Sequence, residues 1–60
     1  MIFLNDLKKA QKTRAKIIIT YKNGVKLSCA VAFLTSTHAV MHRPKGKVVF
    51  FDKIEAVDFD

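Results

Sequence analysis

The sequence lacks the features that usually mark a secreted, membrane or disulfide-stapled protein. Its 60 residues include one cysteine, Cys29, which cannot form an internal disulfide. No apolar run approaches the roughly 18 consecutive residues that a membrane span requires. The first residues hold no apolar segment followed by a small-residue cleavage site, so no signal peptide is predicted. We therefore expect a cytoplasmic protein with no membrane partner.

Patterns that carry catalysis or metal binding are also missing. The chain has no Gly-rich phosphate loop, no nucleophile elbow and no paired carboxylates before its acidic end. Cys29 lies in an alternating apolar segment without a nearby base, which favours a small buried residue over a catalytic thiol. His38 and His42 share a strand face, but no carboxylate or thiol stands at ligand spacing, so satisfied or surface histidines are predicted. We expect no enzyme, no metal and no cofactor.

The short length limits what a single core can achieve. Sixty residues make one domain, residues 1–60, and a chain of this size buries only about 60% of its unfolded surface. Small domains with such a marginal core are commonly stabilised by self-association. We therefore expect a homo-oligomer.

Positive charge is what the sequence has in excess. Eleven Lys and Arg against five Asp and Glu give a net charge of +6 and a pI near 9.8, which suggests an anionic partner. The basic residues gather in an early segment, around Asn23-Gly24 and around Arg43-Pro44, whereas residues 52–60 are net acidic. The positive charge is therefore concentrated in three segments and is not spread evenly along the chain.

Hydrophobic periodicity predicts one helix followed by strands. Leu4, Leu7 and either Ala10 or Gln11 recur at helical spacing from Phe3 to about Thr13, with Asn5 as a possible N-cap or a start nearer Met1. Beyond Arg14, β-branched and aromatic residues take over with a period of two. The predicted strands are Lys16–Lys22, Val25–Leu34, His38–Arg43, Gly46–Asp52 and Ala56–Phe59.

Turn residues connect these strands into a meander. Asn23-Gly24 predicts a tight two-residue hairpin, and Thr35–Thr37 and Arg43–Gly46 mark two further turns. In the second strand Leu27, Cys29, Val31 and Phe33 alternate toward one face, which predicts a core side. Five strands in so few residues favour a small barrel, and the apolar run 48–51 resembles an exposed edge that could pair with a neighbouring subunit.

Several of these segments resemble Hfq, the bacterial branch of the Sm and Lsm proteins. Phe3-Leu4-Asn5, with Leu7 and basic residues after it, is similar to the FLNxLR opening of the Hfq helix. The run IIITYKNGVKL, residues 17–27, is similar to the first hairpin of that family. The resemblance covers nearly the whole chain and implies a mainly β, Sm-like (SH3-like) five-stranded bent barrel with an N-terminal α-helix.

Two departures from the family pattern bear on function. Cys29 replaces a Gly that permits bending of the second strand, so the curvature must come from elsewhere, with Ala30 and Ala32 as candidates. Phe50-Phe51-Asp52 replaces the YKH signature, whose Lys and His help to hold uridine at the pore of the ring. Asp52 would repel phosphate, so a weakened or re-tuned pore is predicted.

The resemblance implies a hexameric RNA chaperone for post-transcriptional regulation, including stress responses. Such a ring binds A-rich and U-rich single-stranded RNA and promotes pairing of small regulatory RNAs with mRNA. The implied RNA contacts fall into two groups, one beside the first hairpin and one at the pore: Thr20, Tyr21, Lys26 and Leu27, then Ser36, Thr37, Phe51 and Asp52. The implied basic rim on the helix comprises Asn5, Lys8, Lys9, Lys12 and Arg14.

Plainer interpretations of the same residues stay open. The helix lysines could form an ordinary solvated face, and the hairpin lysines could simply keep an edge soluble. The alternative for the whole protein is an Sm-fold structural or protein-interaction ring in which RNA binding is weakened or lost. The substitution of the YKH signature favours this alternative, and the basic surface favours the RNA chaperone.

Overall fold

A computed structural model describes residues 3–60. Met1 and Ile2 lie outside the described residues, and so does the predicted alternative in which the helix starts nearer Met1. The elements, in chain order, are α1 (Phe3–Thr13), β1 (Lys16–Tyr21), β2 (Lys26–Leu34), β3 (His38–Arg43), β4 (Lys45–Phe50), a 3-10 turn (Phe51–Lys53) and β5 (Ile54–Phe59). The strands form one antiparallel sheet in the order β4-β3-β2-β1-β5. This confirms the predicted helix followed by five strands.

The helix α1 is amphipathic and covers one side of the sheet. Leu7 and Ala10 are fully buried, while α1 packs against β2 and β5. Asp6 in the first turn and Lys12 in the last turn complement the helix dipole. Asn5 lies inside the described helix, so the prediction that it caps the N-terminus was wrong.

The helix ends at a residue with an unusual backbone conformation. Arg14 has φ +57°, a left-handed value that glycine adopts with least cost at this position. The N–H of Ala15 then donates to the carbonyl of Ala10 at 3.2 Å, which satisfies one of the free carbonyls at the helix end. The chain turns here directly into β1.

The first hairpin has a three-residue loop and not the predicted two-residue turn. Tyr21 and Val25 are joined by a backbone hydrogen bond of 2.7 Å, and the loop between them is Lys22-Asn23-Gly24. Gly24 alone in this loop has a positive φ, +90°. The side chain of Asn23 accepts a hydrogen bond from the N–H of Val25 at 3.0 Å. Asn23 therefore stabilises the loop through its side chain instead of adopting the positive φ of a type I′ turn.

Two bulges interrupt the pairing of β2 with β3, one with its extra residue, His42, on β3 and one with its extra residue, Ala32, on β2. The pairing of β2 with β3 shifts register between Ala30 and Val31 and again between Val31 and Phe33. Bulges bend a strand and change which face its side chains point to. Accordingly Val31 is buried but Phe33 is 50% exposed, so the predicted inward position of Phe33 was wrong.

One apolar core fills the space between α1 and the bent sheet. Within residues 3–60 no buried side chain is polar or charged. The core residues come from α1, every strand and the 3-10 turn: Leu7, Ala10, Ile17, Ile19, Cys29, Val31, Ala39, Met41, Val49, Phe51, Ile54 and Val57. Cys29 is buried as predicted. No helix in the described part of the chain is long and apolar enough to cross a membrane.

The end of β4 differs from the predicted strand. The strand stops at Phe50, and Phe51 and Asp52 lie in the 3-10 turn that leads into β5. The apolar run at residues 48–51 is therefore not uniformly exposed: Val49 and Phe51 are buried, whereas Val48 and Phe50 are exposed. The sheet leaves β4 and β5 as its two edge strands.

Candidate nucleic-acid interface

The residues expected at the pore are brought together in one pocket. A cavity of about 330 Å³, here called the loop pocket, is lined by Ser36, Thr37, Phe50, Phe51 and Asp52. The N–H of Phe51 donates to the carbonyl of Thr37 at 3.0 Å, which holds the 3-10 turn against the loop between β2 and β3. Two segments that are 13 or more residues apart in the sequence thus form one surface.

Threonine hydroxyls fix the shape of this loop. The hydroxyl of Thr35 accepts from the N–H groups of Thr37 and His38, at 3.3 and 3.1 Å. The Nδ1 atom of His38 lies 3.0 Å from the hydroxyl of Thr35 and 2.9 Å from that of Thr37. His38 is therefore hydrogen-bonded within the loop, as predicted, and orders the wall of the loop pocket.

Phe51 is not placed for the base contact that the family resemblance implied, and its neighbour Phe50 is the exposed ring. The ring of Phe51 is only 5% exposed and packs edge-on against Phe3, with ring centroids 6.3 Å apart. A ring in this position has no free face for a base. Phe50 is 51% exposed and lies 5.3 Å from the His38 ring. The aromatic surface of the loop pocket is therefore supplied by Phe50, a residue that sequence reasoning did not include among the RNA contacts.

Asp52 lies between two pockets. It borders the loop pocket and also a second cavity of about 380 Å³, the turn pocket, lined by Tyr21, Lys22, Asn23, Asp52 and Lys53. The N–H of Lys22 donates to the carbonyl of Lys53 at 2.9 Å and so joins the hairpin loop to the 3-10 turn. Asp52 therefore has lysines beside it in the turn pocket and none in the lining of the loop pocket.

The four hairpin residues divide between the two sides of the sheet. Thr20 and Lys26 are directly paired across β1 and β2, so their side chains share the outer face. Tyr21 and Leu27 are half-buried and pack against the core cluster. Val25, at 55% exposure, is a further apolar group beside them that the sequence did not single out.

Burial moves the titration of the Tyr21 hydroxyl further from neutral pH. Desolvation raises the pKa of Tyr21 above its ordinary value of 10.0, and the charge of a Cys29 thiolate would raise that pKa further. The hydroxyl is therefore protonated at neutral pH and available as a hydrogen-bond donor at the edge of the hairpin.

The five residues of the predicted basic rim are all exposed on or next to α1. Asn5, Lys8, Lys9, Lys12 and Arg14 lie away from the buried side formed by Leu7 and Ala10. The ammonium of Lys9 lies 5.5 Å from the centre of the Phe59 ring, within the range of a cation–π contact. The rim therefore runs along α1 toward the edge strand β5.

No group of three or more His, Cys, Asp or Glu among residues 3–60 is arranged to hold a metal ion. The chemistry that the surface offers is that of lysine and arginine charges, hydroxyls and exposed aromatic rings such as those of Phe33 and Phe50. Lysine, arginine and hydroxyl groups can contact phosphates, and exposed aromatic rings can stack on bases.

Comparison with solved structures agrees with this geometry. The chain superimposes on the 1.55 Å crystal structure of the pleiotropic translational regulator Hfq with a TM-score of 0.84, over 98% of this chain and 91% of that chain. The fold is that of Hfq. The two sequences are only 10% identical, so the likeness shows the fold and leaves the function to be argued from the surface. No family model matches the sequence, and no curated protein matches it.

Proposed function

We propose that this chain is an RNA-binding regulator that assembles into a hexameric ring in the cytoplasm and promotes pairing of small regulatory RNAs with mRNA. It acts by binding single-stranded RNA and not by catalysis. The Hfq of the matched crystal structure is described as a pleiotropic translational regulator, which is consistent with this proposal.

The observation that carries the proposal is the loop pocket. Hydroxyls of Ser36 and Thr37 and the exposed ring of Phe50 converge there, from two distant segments. An unpaired base needs such a combination, because it stacks on an aromatic face and offers its edges to hydrogen-bonding groups. Thr20 and Lys26 supply a separate polar and basic surface on the hairpin, and Tyr21 and Leu27 border it.

Binding to short RNAs over a range of salt concentrations tests the proposal. Labelled oligo-A and oligo-U should both bind the parent protein, and affinity should fall steeply between about 50 and 200 mM salt, since each neutralised phosphate releases counterions. A duplex RNA of equal length is the matched control. Its strands carry the same phosphates but have no unstacked bases, so it should compete poorly. Equal competition by the duplex would reduce the interaction to general electrostatics.

One observation favours the alternative of a protein-interaction ring. Asp52 brings a negative charge into the loop pocket, and Phe51 is in the core where the family signature has a basic residue. A ring that assembles but binds neither oligonucleotide would support this alternative. Affinity capture of protein partners would then be the next experiment.

A further inference from the structure

A further concave surface lies outside the loop pocket and the hairpin surface. A cavity of about 620 Å³, here called the corner groove, opens where the residue that follows α1 meets β1, β2 and the end of β3 with the turn before β4. Its lining comprises Arg14, Lys16, Ser28, Cys29, Ala30, His42, Arg43 and Pro44. Three of these residues are lysine or arginine, and none is acidic.

The sheet register explains why these charges meet. Lys16 and Arg43 are both paired with Ala30, one on each side of β2, so a small residue separates two cationic side chains. Ala30 and Cys29 are buried and form the floor of the groove, and the hydroxyl of Ser28 is exposed at its side. The result is a depression with a small-residue floor and cationic walls.

Arg14 contributes the third charge at a cost in backbone conformation. A non-glycine residue in the left-handed region is strained, and such outliers concentrate at functional sites. Glycine would end the helix here without that strain. The arginine therefore occupies a position where helix termination alone would favour another residue, and its side chain lines the corner groove.

The corner groove is continuous with surfaces on both of its sides. Lys26, Ser28 and Ala30 alternate along β2, so the hairpin surface that bears Lys26 leads directly to it. Arg14 and His42 also line an adjoining cavity of about 410 Å³ with Gln11, which lies on α1. None of the lining residues lies on β4 or β5, the two edge strands that are available to pair with another subunit.

We propose that the corner groove binds backbone phosphates of single-stranded RNA that passes from the hairpin surface to the helix rim. Arginine is suited to this role because its planar guanidinium can bind a phosphate through two hydrogen bonds. Asp60 is anchored beside Lys16, where its N–H donates to the Lys16 carbonyl at 3.2 Å, but it is not part of the lining. This inference rests on the proposed function and adds a path between two of its surfaces.

The test compares two lengths of oligo-A on matched variants. The double variant Arg14→Gly with Arg43→Gln removes two groove charges, and the double variant Lys47→Gln with Lys53→Gln removes two exposed charges outside the groove. On RNA longer than the roughly 4–16 nucleotides that one small barrel covers, the groove variant should bind about tenfold more weakly than the control. The slope of log affinity against log salt concentration should become shallower by about 0.7 for each phosphate that the groove variant no longer neutralises. On an oligomer of about six nucleotides, which fits the hairpin surface alone, both variants should bind equally.

Thermal unfolding separates loss of binding from loss of folding. Arg14→Gly alone should leave the melting temperature unchanged or raise it, because glycine accepts the left-handed backbone, while long RNA binds more weakly. Equal binding of long RNA by the groove and control variants would overturn the inference while the proposed function stands. Equal losses on long and short RNA would also overturn it. A parent protein that binds no RNA would instead overturn the proposed function and, with it, the assignment of the groove to RNA.

Discussion

Asp52 is the one charged residue among those that line the loop pocket. It is exposed, borders the loop pocket and has Lys22 and Lys53 beside it on the other side. We expect Asp52→His to strengthen oligo-U binding about fivefold, because removing one unit charge near a phosphate at 4 Å is worth about 1 kcal/mol even in water. Fluorescence anisotropy with labelled oligo-U measures the change.

The control for this substitution is Asp60→His, which removes an acid outside the loop pocket and should not affect oligo-U more than oligo-A. If Asp52→His assembles normally and binds oligo-U no better than the parent, the loop pocket is not the uridine site. Phe51→Lys, the companion change that the family signature suggests, would place an ammonium group in the core and is expected to destabilise the fold instead.

Cys29 illustrates how burial sets the chemistry of a side chain. Burial raises the pKa of the Cys29 thiol from 9.0 to about 11, so only ~0.1% is thiolate at pH 8. We expect the folded protein to resist alkylation at that pH and the unfolded chain to react readily, as followed by mass spectrometry. Rapid labelling of the folded protein would show that the thiol is accessible.

The same shift predicts a pH effect on stability. Because the folded-state pKa lies above the unfolded value, the folded state binds more protons between pH 9.0 and about 11, and this contribution to the free energy of unfolding falls as the pH rises through that window. Denaturant unfolding of the parent and of Cys29→Ala should show a steeper alkaline loss in the parent. Parallel losses in the two proteins would assign the effect to other groups.

Among the elements, the helix and strands could be predicted because their periodicities differ and their breaks carry turn residues. The bulges between β2 and β3 could not, since Ala30, Val31 and Ala32 fit a regular strand equally well and the register shifts depend on how the two strands pair. The same limit applies to Asn23, where an Asn-Gly pair suits either a two-residue turn or the three-residue loop observed.

The β1–β2 hairpin and the edge strand β4 should respond differently to charge reversal. Lys26 is paired with Thr20 on the outer face of the hairpin, whereas Lys47 lies on β4 and lines none of the described pockets. We expect Lys26→Glu to weaken oligo-A binding at least tenfold and Lys47→Glu to weaken it much less, since a charge-assisted hydrogen bond is worth about 1.5–3 kcal/mol. Anisotropy titrations at one fixed salt concentration give the comparison. Equal losses would mean that the hairpin has no specific contact with the RNA.

Across the whole molecule, the candidate site depends on contacts that sequence spacing does not reveal. Matching to a family motif identified Ser36, Thr37 and Asp52, which do meet in the loop pocket. It also placed Phe51 there as a stacking group, although the 3-10 turn directs this ring into the core and leaves Phe50 exposed. The corner groove was missed because its lining comes from three separate segments that carry no common motif.

The two edges of the sheet account for the expected ring. Val48 and Phe50 on β4 and Phe59 on β5 are exposed by 41%, 51% and 42%, so each edge combines unpaired backbone groups with apolar side chains. Such edges promote pairing with another chain. Pairing β4 of one subunit with β5 of the next is a head-to-tail arrangement, and a fixed rotation between subunits can close it into a ring.

Native mass spectrometry at micromolar concentration should therefore show a closed ring of about six subunits. Val48→Lys should shift the population to monomers and small oligomers, because a lysine on an edge strand opposes pairing and replaces an apolar side chain there. Phe33→Lys is the matched control, since Phe33 is similarly exposed but lies on β2 in the interior of the sheet. A parent protein that remains a monomer would exclude a pore and leave the hairpin surface and the corner groove as the RNA contacts. Dissociation by Phe33→Lys instead of Val48→Lys would place the subunit interface on β2 rather than on the edges.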